Sequence, residues 1–248
     1  MNRYKPLGWR NESYRHSLAS RGLTKKYKIP PAWKNVKFHK NKEYVVTGED
    51  KKGRTQYIYP ESHNKETSEN KYDRIETLEK DMPAIIELVK QDVSMGIPEA
   101  EAVYTIYKTG FRPGTEKDTL AEEQAYGVST LEPKHVKVSG DTVKFNFIGK
   151  KGVKVEKTVN DKTLANIIKR RREGRQIFPV SDNQTRNYFK KLTAGQYKLK
   201  DLRTLRAHKI AKSTDGDKKV IAQRVSQDLG NTPAVAIKSY VDPELISA

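Results

Sequence analysis

The 248-residue sequence contains no cysteine and no long hydrophobic run. Without cysteine, neither a disulfide framework nor a cysteine-bound zinc site can form. No stretch approaches the roughly 18 consecutive apolar residues that a membrane-spanning helix needs. Leucine, isoleucine, valine and phenylalanine make up 53 of the 248 residues, just above the ~20% below which a strongly charged chain stays unfolded. The sequence therefore predicts one or two modest domains that do not associate with a membrane.

Positive charge is in large excess. The chain has 49 lysines and arginines against 31 acidic residues, which gives a net charge of +18. This exceeds the magnitude of about 2 to 8 that suits a small soluble domain. The excess indicates an anionic polymer as partner, and nucleic acid fits best, with binding that weakens steeply as salt rises. A basic surface that only maintains solubility is the alternative.

The first 28 residues have the most one-sided charge of any segment. They contain eight lysines or arginines, and Glu12 is their only acidic residue. Such a balance is also typical of a mitochondrial transit peptide. However, Pro6, Gly8 and Gly22 interrupt any amphipathic helix. We therefore expect residues 1–28 to form a basic arm that contacts DNA.

Hydrophobic periodicity predicts an α+β fold. A small β-rich domain is expected over residues 29–68 and a mainly helical domain over 69–248, with a three-stranded antiparallel sheet inserted at residues 133–159. The polar segment 61–70 is predicted to be a linker, with a helical start as the alternative. Strands are expected at 34–38, 43–48 and 54–59. Helices are expected from residue 73, with a kink at Pro83, and at 98–108, 161–173, 182–193, 200–213, 217–229 and 233–241.

Four short strings carry residues that suit phosphodiester chemistry. Gly110–Thr115 contains Arg112, Phe147–Gly152 contains Lys150, and Lys200–Thr204 places Lys200 and Arg203 one helical turn apart. The fourth string, Leu229–Pro233, contains Asn231 and is followed by Tyr240. Taken singly, a structural arginine or a solvated lysine explains each string. A helix end at Gly230 and a new helix from Pro233 would let Asn231 and Tyr240 converge.

In this order, the arginine, the hairpin lysine, the Lys-x-x-Arg pair, the asparagine and the tyrosine resemble the catalytic set of the type IB DNA topoisomerases, in their poxvirus-like and bacterial branch. Ile29–Trp33 and Thr47–Tyr59 are similar to the N-terminal domain of that family. Tyr126–Leu131 and the Phe-x-Gly-Lys hairpin resemble parts of its catalytic domain. The resemblance extends from about residue 29 to residue 242.

The resemblance implies relaxation of supercoiled duplex DNA through a 3′-phosphotyrosyl intermediate and religation, with no ATP, metal or other cofactor. Tyr240 would attack phosphorus, while Arg112 and Arg203 would hold the non-bridging oxygens. Lys150, helped by Lys200, would protonate the departing 5′ oxygen. Asn231 would donate from its amide at the place where poxvirus enzymes have histidine.

Further residues are expected to contact the duplex. Gln56 can bond a base edge, and Tyr57 and Tyr59 can bond phosphate or stack. Packing on a half-buried sheet is an equally open interpretation of the two tyrosines. Lys151 at the hairpin tip can enter a groove, and Lys117 can contact phosphate.

Two alternatives stay open at this point. Tyrosine recombinases share the implied catalytic fold, but they usually have His-x-x-Arg where this sequence has Lys200 and Arg203, and they tend to continue further beyond the tyrosine. Eight residues follow Tyr240, so we expect a monomer that clamps double-stranded DNA. A non-catalytic DNA-coating protein would explain the charge alone. The expected location is the cytoplasm or nucleoid, or, for a virus-encoded protein, the host or virion.

Overall fold

The computed structural model describes residues 25–39, 43–115, 119 and 124–246. The chain divides into two compact units, residues 1–71 and 72–248. Helices and two three-stranded antiparallel sheets confirm the predicted α+β fold. The predicted basic arm lies almost wholly outside the described residues, and the predicted domain limits at residues 28 and 68 stay predictions. Within the described part of the chain, no helix is both long and apolar enough to cross a bilayer.

The first unit contains an antiparallel sheet whose strands are neighbours in chain order. Thr47 lies opposite Tyr57 in the register of the second and third strands. The second strand begins at Val46 and not at residue 43, although the Val45 N–H still donates to the Ile58 carbonyl at 2.8 Å. The strands are β1 (Lys34–Phe38), β2 (Val46–Glu49) and β3 (Thr55–Ile58).

Two local contacts shape this sheet. The Asp50 carboxylate closes the turn between β2 and β3, because it accepts the backbone N–H groups of Lys52 at 2.9 Å and Arg54 at 3.0 Å. The side-chain hydrogen bond from Arg54 lowers the pKa of Asp50 to about 2. On β2, Gly48 lies under the Trp33 ring, where a Cβ atom would come within 2.5 Å of a ring carbon. The sheet therefore requires glycine at this position.

The segment 61–70 is helical, which confirms the alternative prediction of a helical start over that of a linker. This segment is the beginning of helix α1 (Glu61–Ser94), which runs for 34 residues and continues through Pro83. The segment has no apolar stripe, so periodicity gives no signal for it. Its helix is continuous with a later part whose apolar side chains, such as Ile75 and Leu78, are fully buried. Packing there stabilises the helix and offsets the cost of nucleating its polar first turns.

The second unit follows the predicted order of helices and strands. Observed limits lie within a few residues of the predicted ones; the helix expected at 200–213, for example, spans 199–212. The inserted sheet has the order β4-β5-β6, with Phe145 of β5 opposite Lys157 of β6. The elements are α2 (Pro98–Thr109), β4 (Val136–Ser139), β5 (Thr142–Gly149), β6 (Val153–Asn160), α3 (Lys162–Arg171), α4 (Asp182–Leu192), α5 (Leu199–Lys212), α6 (Lys218–Leu229) and α7 (Pro233–Tyr240).

Two hydrophobic clusters form the core of this unit. The larger cluster joins α1, α2, α3 and the inward face of the inserted sheet to the first half of α5. The smaller cluster joins the second half of α5 to α6 and α7. Helix α5 therefore takes part in both. The buried members of the smaller cluster are Ala207, Ala211, Ile221, Val225, Leu229, Ala236 and Val241.

Candidate active site

A cavity of about 240 Å³ in the second unit collects most of the predicted catalytic side chains. It is lined by five cationic residues that come from four separate places in the chain, by Tyr126 and Tyr240, and by Asp182, which pairs with Arg186. An anion that entered it would meet positive charge on several sides. The predicted residues that line it are Arg112, Lys150, Lys200, Arg203 and Tyr240.

Arg112 lies on a loop that backbone contacts fix in place. Helix α2 ends at Thr109 and is capped by Gly110, whose φ of +69° is left-handed and suits glycine. The Arg112 carbonyl accepts the N–H of Val128 at 2.9 Å. Gly114 crosses Gly127 so closely that a Cβ atom on Gly127 would lie 2.5 Å from the Gly114 nitrogen. The half-buried Arg112 side chain therefore leaves from a backbone that has little room to shift.

The hairpin between β5 and β6 carries the two predicted lysines. Both side chains are exposed, and Lys151 has a left-handed φ of +64°. The Tyr126 N–H donates to the Ile148 carbonyl at 2.8 Å, which ties the hairpin to the segment that also holds the Arg112 loop. Lys150 lines the cavity, whereas Lys151 is not among the described residues that do so.

The first turn of α5 supplies the Lys-x-x-Arg pair. Asp201, between the two cations, is 1% exposed, and its Oδ2 accepts the backbone N–H of Lys198 at 2.9 Å. The same oxygen accepts Nε of Arg74 from α1 at 3.0 Å. Asp201 thus fixes the start of α5. Lys200 is exposed at the cavity, and Arg203, one turn later, is buried.

Arg203 holds the tyrosine. Its Nε donates to the Tyr240 hydroxyl at 3.2 Å, and its guanidinium carbon lies 5.2 Å from the centre of that ring. Its terminal nitrogens donate to the Gly110 carbonyl and, at 2.5 Å, to the Leu229 carbonyl. Burial and then the charge of Arg112 lower the pKa of Arg203 to about 10. Arg203 therefore stays charged at neutral pH and joins the ends of α2 and α6 to the tyrosine.

The break between α6 and α7 follows the predicted signals. Gly230 ends α6 with φ +59°, and the Thr232 hydroxyl caps α7 by accepting the Val235 N–H at 3.4 Å. Asn231, between them, is not among the described residues that line the cavity. Both its amide atoms are buried and have no hydrogen-bond partner in the described structure. This costs free energy unless a ligand pairs with them.

The predicted DNA contacts of the first unit lie on or just after β3. Gln56 donates from Nε2 to Asp50 at 3.0 Å. Tyr57 is 48% exposed and stands edge-on to Tyr44, with 5.0 Å between ring centres. Tyr59 stacks on His63 at 4.7 Å. Both tyrosines therefore pack on neighbouring rings, and Tyr57 also keeps about half its surface open. Lys117 lies outside the described residues.

Several residues that support the site were not expected from the sequence. Asp201 and Arg74 fix α5, and a half-buried group of Lys157, Arg206 and Asp228 lies beside Arg203. For Lys157 a signal existed: alternation along β6 places it on the same face as Val153 and Val155. The sequence is silent about its partners, which lie far away in the chain.

Within the described residues, no group of three or more acidic or histidine side chains is arranged to hold a metal ion. Of the histidines, His135 packs on Tyr126, with 4.3 Å between ring centres. His208 is 1% exposed, and burial lowers its pKa. The described histidines therefore lie outside the cavity and take part in local packing.

Comparison with known proteins agrees with the geometry. Residues 61–228 match the family described as eukaryotic DNA topoisomerase I, catalytic core. The chain is 27% identical over 254 residues to "DNA topoisomerase 1B" of Acanthamoeba polyphaga mimivirus, and the aligned region covers 87% of this chain and 76% of the relative. It is 25% identical over 227 residues to "DNA topoisomerase I" of Monkeypox virus, and this aligned region covers 79% of this chain and 69% of the relative. The chain is therefore an enzyme that belongs to the type IB DNA topoisomerase family, on its poxvirus-like side.

Proposed function

We propose that this enzyme relaxes supercoiled duplex DNA by cutting and resealing one strand through Tyr240. The Tyr240 oxygen bonds to phosphorus, the bond from phosphorus to the 5′ oxygen breaks, and the phenol proton leaves to solvent. The duplex then swivels before the 5′ hydroxyl attacks the phosphotyrosyl bond and regenerates the strand. Because each covalent bond is replaced by another of similar kind, no ATP is required; the proposed step also uses no metal ion.

The observation that carries this proposal is the position of the Tyr240 hydroxyl. It lies 3.2 Å from Nε of a buried arginine, in a cavity that four more cationic side chains share. A tyrosine that served only packing would have no need of converging positive charge. A nucleophile that attacks a phosphodiester does need it, because negative charge on the non-bridging oxygens grows in the transition state.

Arg112 and Arg203 are proposed to hold those oxygens. An arginine has five N–H donors in a fixed fork, and the described contacts of Arg203 use three of its nitrogens once each. Two donors therefore remain for phosphate. Removal of one such preorganised donor typically lowers the rate by about 10²–10³.

Lys150 is proposed to protonate the departing 5′ oxygen, with Lys200 beside it. An alkoxide is a poor leaving group, so a proton delivered as the bond breaks raises the rate by roughly 10²–10⁴. Both lysines line the cavity and are exposed to solvent. Solvent can therefore replace the proton that Lys150 gives up.

Asn231 is proposed to donate to a phosphate oxygen. Its buried amide has no partner among the described residues, and a bound phosphate would supply the missing acceptor. The Leu229 carbonyl two residues earlier is already held by Arg203. Asn231 therefore follows a backbone segment that the site arginine itself fixes.

The proposed partner is double-stranded DNA, held by a monomer that clamps it. In the first unit, Gln56, Tyr57 and Tyr59 would contact the duplex. In the second unit, Lys117 and Lys151 would bind phosphate. Asp50 already accepts one N–H of the Gln56 amide. The second N–H and the oxygen of that amide stay available for a base edge.

The experiment uses the full chain, supercoiled plasmid, a metal chelator and no nucleotide. We expect relaxation, and detergent should trap a covalent adduct that peptide mapping assigns to Tyr240. Tyr240→Phe, which removes only the nucleophilic oxygen, should eliminate both relaxation and adduct while the protein still binds DNA.

Tyr107→Phe is the matched control, because Tyr107 is half-buried in α2 and lies outside the cavity. It should retain relaxation. An active Tyr240→Phe protein, or an adduct on another tyrosine, would contradict the assignment of the nucleophile.

A further inference from the structure

The carboxyl end of α2 is capped by three side chains from outside the helix. The last carbonyl groups of a helix lack partners within the helix. Here three consecutive carbonyls each accept a hydrogen bond from a different cation, one from β6 and two from α5. The pairs are Arg206 Nη1 with the Lys108 carbonyl at 3.0 Å, Lys157 Nζ with the Thr109 carbonyl at 2.7 Å, and Arg203 Nη1 with the Gly110 carbonyl.

The same cations also hold the carboxyl end of α6. Lys157 donates to the backbone carbonyl of Asp228 at 2.9 Å and to its Oδ1 at 2.9 Å. Arg206 binds the Asp228 carboxylate in a bidentate manner, at 2.5 and 2.8 Å. The ends of α2 and α6 are therefore joined by half-buried charged groups.

Asp228 supplies the negative charge that this arrangement needs. Burial alone would raise its pKa, but the hydrogen bond from Arg206 and the charge of Lys157 outweigh burial and lower it. Without the carboxylate, Lys157, Arg203 and Arg206 would leave unbalanced positive charge beside Arg112. An uncompensated buried charge is costly, so the backbone around it would shift to admit water.

We infer that Lys157, Arg206 and Asp228 are positioning residues that set the distance between Arg112 and Asn231 around the scissile phosphate. This inference rests on the proposed function. Arg112 comes two residues after the last capped carbonyl of α2, and Asn231 comes three residues after Asp228. A misplacement of about 1 Å can lower a rate about 10²-fold. The network would therefore act on the cleavage rate and not on affinity for DNA.

Lys157 has a donor for each acceptor that faces it. An ammonium group has three N–H donors, and the acceptors are the Thr109 carbonyl, the Asp228 carbonyl and the Asp228 carboxylate. A neutral amine has two, so deprotonation breaks one contact and cancels the ion pair. The charged groups that face Lys157 are Arg203 and Arg206 of α5 and Asp228 of α6.

The pH dependence follows from the environment of Lys157. Burial and then the charge of Arg206 lower its pKa to about 8. We therefore expect the cleavage rate to fall as the pH rises through about 8. Above that pH the unfolded chain binds more protons on this lysine than the folded chain, so its contribution to stability grows with pH. A loss of cleavage in this range would thus not arise from unfolding caused by Lys157.

The test measures single-turnover cleavage of a duplex oligonucleotide at saturating DNA, from neutral pH to well above the pKa of Lys157. Asp228→Asn keeps the shape of the side chain and removes the charge. We expect a cleavage rate about tenfold to a hundredfold lower and an unchanged DNA dissociation constant. The alkaline limb of the pH profile, where the rate falls as the pH rises, should move to lower pH. The limb moves because the Asp228 carboxylate raises the pKa of Lys157. Glu156→Gln, exposed on the same strand as Lys157, is the charge-matched control and should behave as wild type.

A second variant distinguishes a loss of positioning from a folding defect. Lys157→Met cannot titrate at this position, so the part of the alkaline limb due to Lys157 should disappear, while the exposed Lys154→Met control keeps it. If the wild type forms no covalent adduct, the proposed function fails. If the wild type forms one but both variants keep its rate and pH profile, the positioning role is wrong. Global unfolding of both variants would also contradict it, because the network would then serve folding alone.

Discussion

The two hydrophobic clusters of the second unit support different parts of the site. Arg112 and Lys150 follow segments of the larger cluster, which includes Phe111 and Phe147. Tyr240 is carried by the smaller cluster, which consists mainly of alanine, valine and a few larger residues from α5, α6 and α7. Small apolar contacts bury less surface and stabilise less. We therefore expect Arg112 and Lys150 to lie on the more stable frame, and helix α7 with Tyr240 to open locally at lower cost in free energy.

The largest expected effect comes from a truncation in the larger cluster. Phe145 is 2% exposed, and its ring stands edge-on to Phe111, with 5.1 Å between ring centres. Phe145→Ala should lower the free energy of unfolding of the second unit by about 3–5 kcal/mol. Denaturant unfolding measures this, with the exposed neighbour Asn146→Ala as control. A loss no larger than that of the control would contradict the view that this cluster is the main frame.

A truncation in the smaller cluster should have a more local effect. Ile221 is 4% exposed on α6, and Ile221→Ala should cost about 2 kcal/mol, the lower limit for such changes, because small neighbours can collapse into the space. Amide exchange should quicken in α6 and α7 and stay unchanged in α2 and β5. Val220→Ala, exposed on the same helix, is the matched control. Equal acceleration in both clusters would remove the distinction between them.

The smallest expected effect comes from the loss of one hydrogen bond that anchors the end of α7. Tyr72 of α1 is 6% exposed, and its hydroxyl donates to the Val241 carbonyl, next to Tyr240, at 2.6 Å. Burial and then the charge of Asp242 raise the pKa of Tyr72, so it remains a donor well into the alkaline range. Tyr72→Phe should cost about 1 kcal/mol and slow adduct formation. An unchanged adduct rate would show that α7 needs no anchor at this point.

Much of the fold could be predicted because local patterns and packing agree. The period-two alternation of β4 to β6 predicts the strands in which it lies. The break between α6 and α7 is likewise predicted by the residues that form it, Gly230, Thr232 and Pro233. The start of α1 could be predicted only as an alternative to a linker, because residues 61–70 have no apolar face and their helix depends on contacts made further along the same helix. A pattern that lies in one segment cannot report stabilisation that comes from another.

The site could be predicted in part for a similar reason. Arg112, Lys150, Lys200, Arg203 and Tyr240 form a recognisable order, and the structure brings them to one cavity. The ion pairs that hold these residues in place were not predicted, because the two partners of each pair lie far apart in the chain. Arg74 meets Asp201 and Lys157 meets Asp228 across separations of 127 and 71 residues. Nothing in a single sequence relates an acidic residue to a basic one at such distances.

The capped end of α2 also matters for how DNA is admitted. The carboxyl end of a helix ordinarily repels anions, because its free carbonyl groups give it about half a negative charge. At this end the carbonyl oxygens face Arg206, Lys157 and Arg203, so that repulsion is neutralised. The next charge along the chain is the guanidinium of Arg112. A phosphodiester that approaches α2 therefore meets attraction at the one pole of the helix that would normally turn it away.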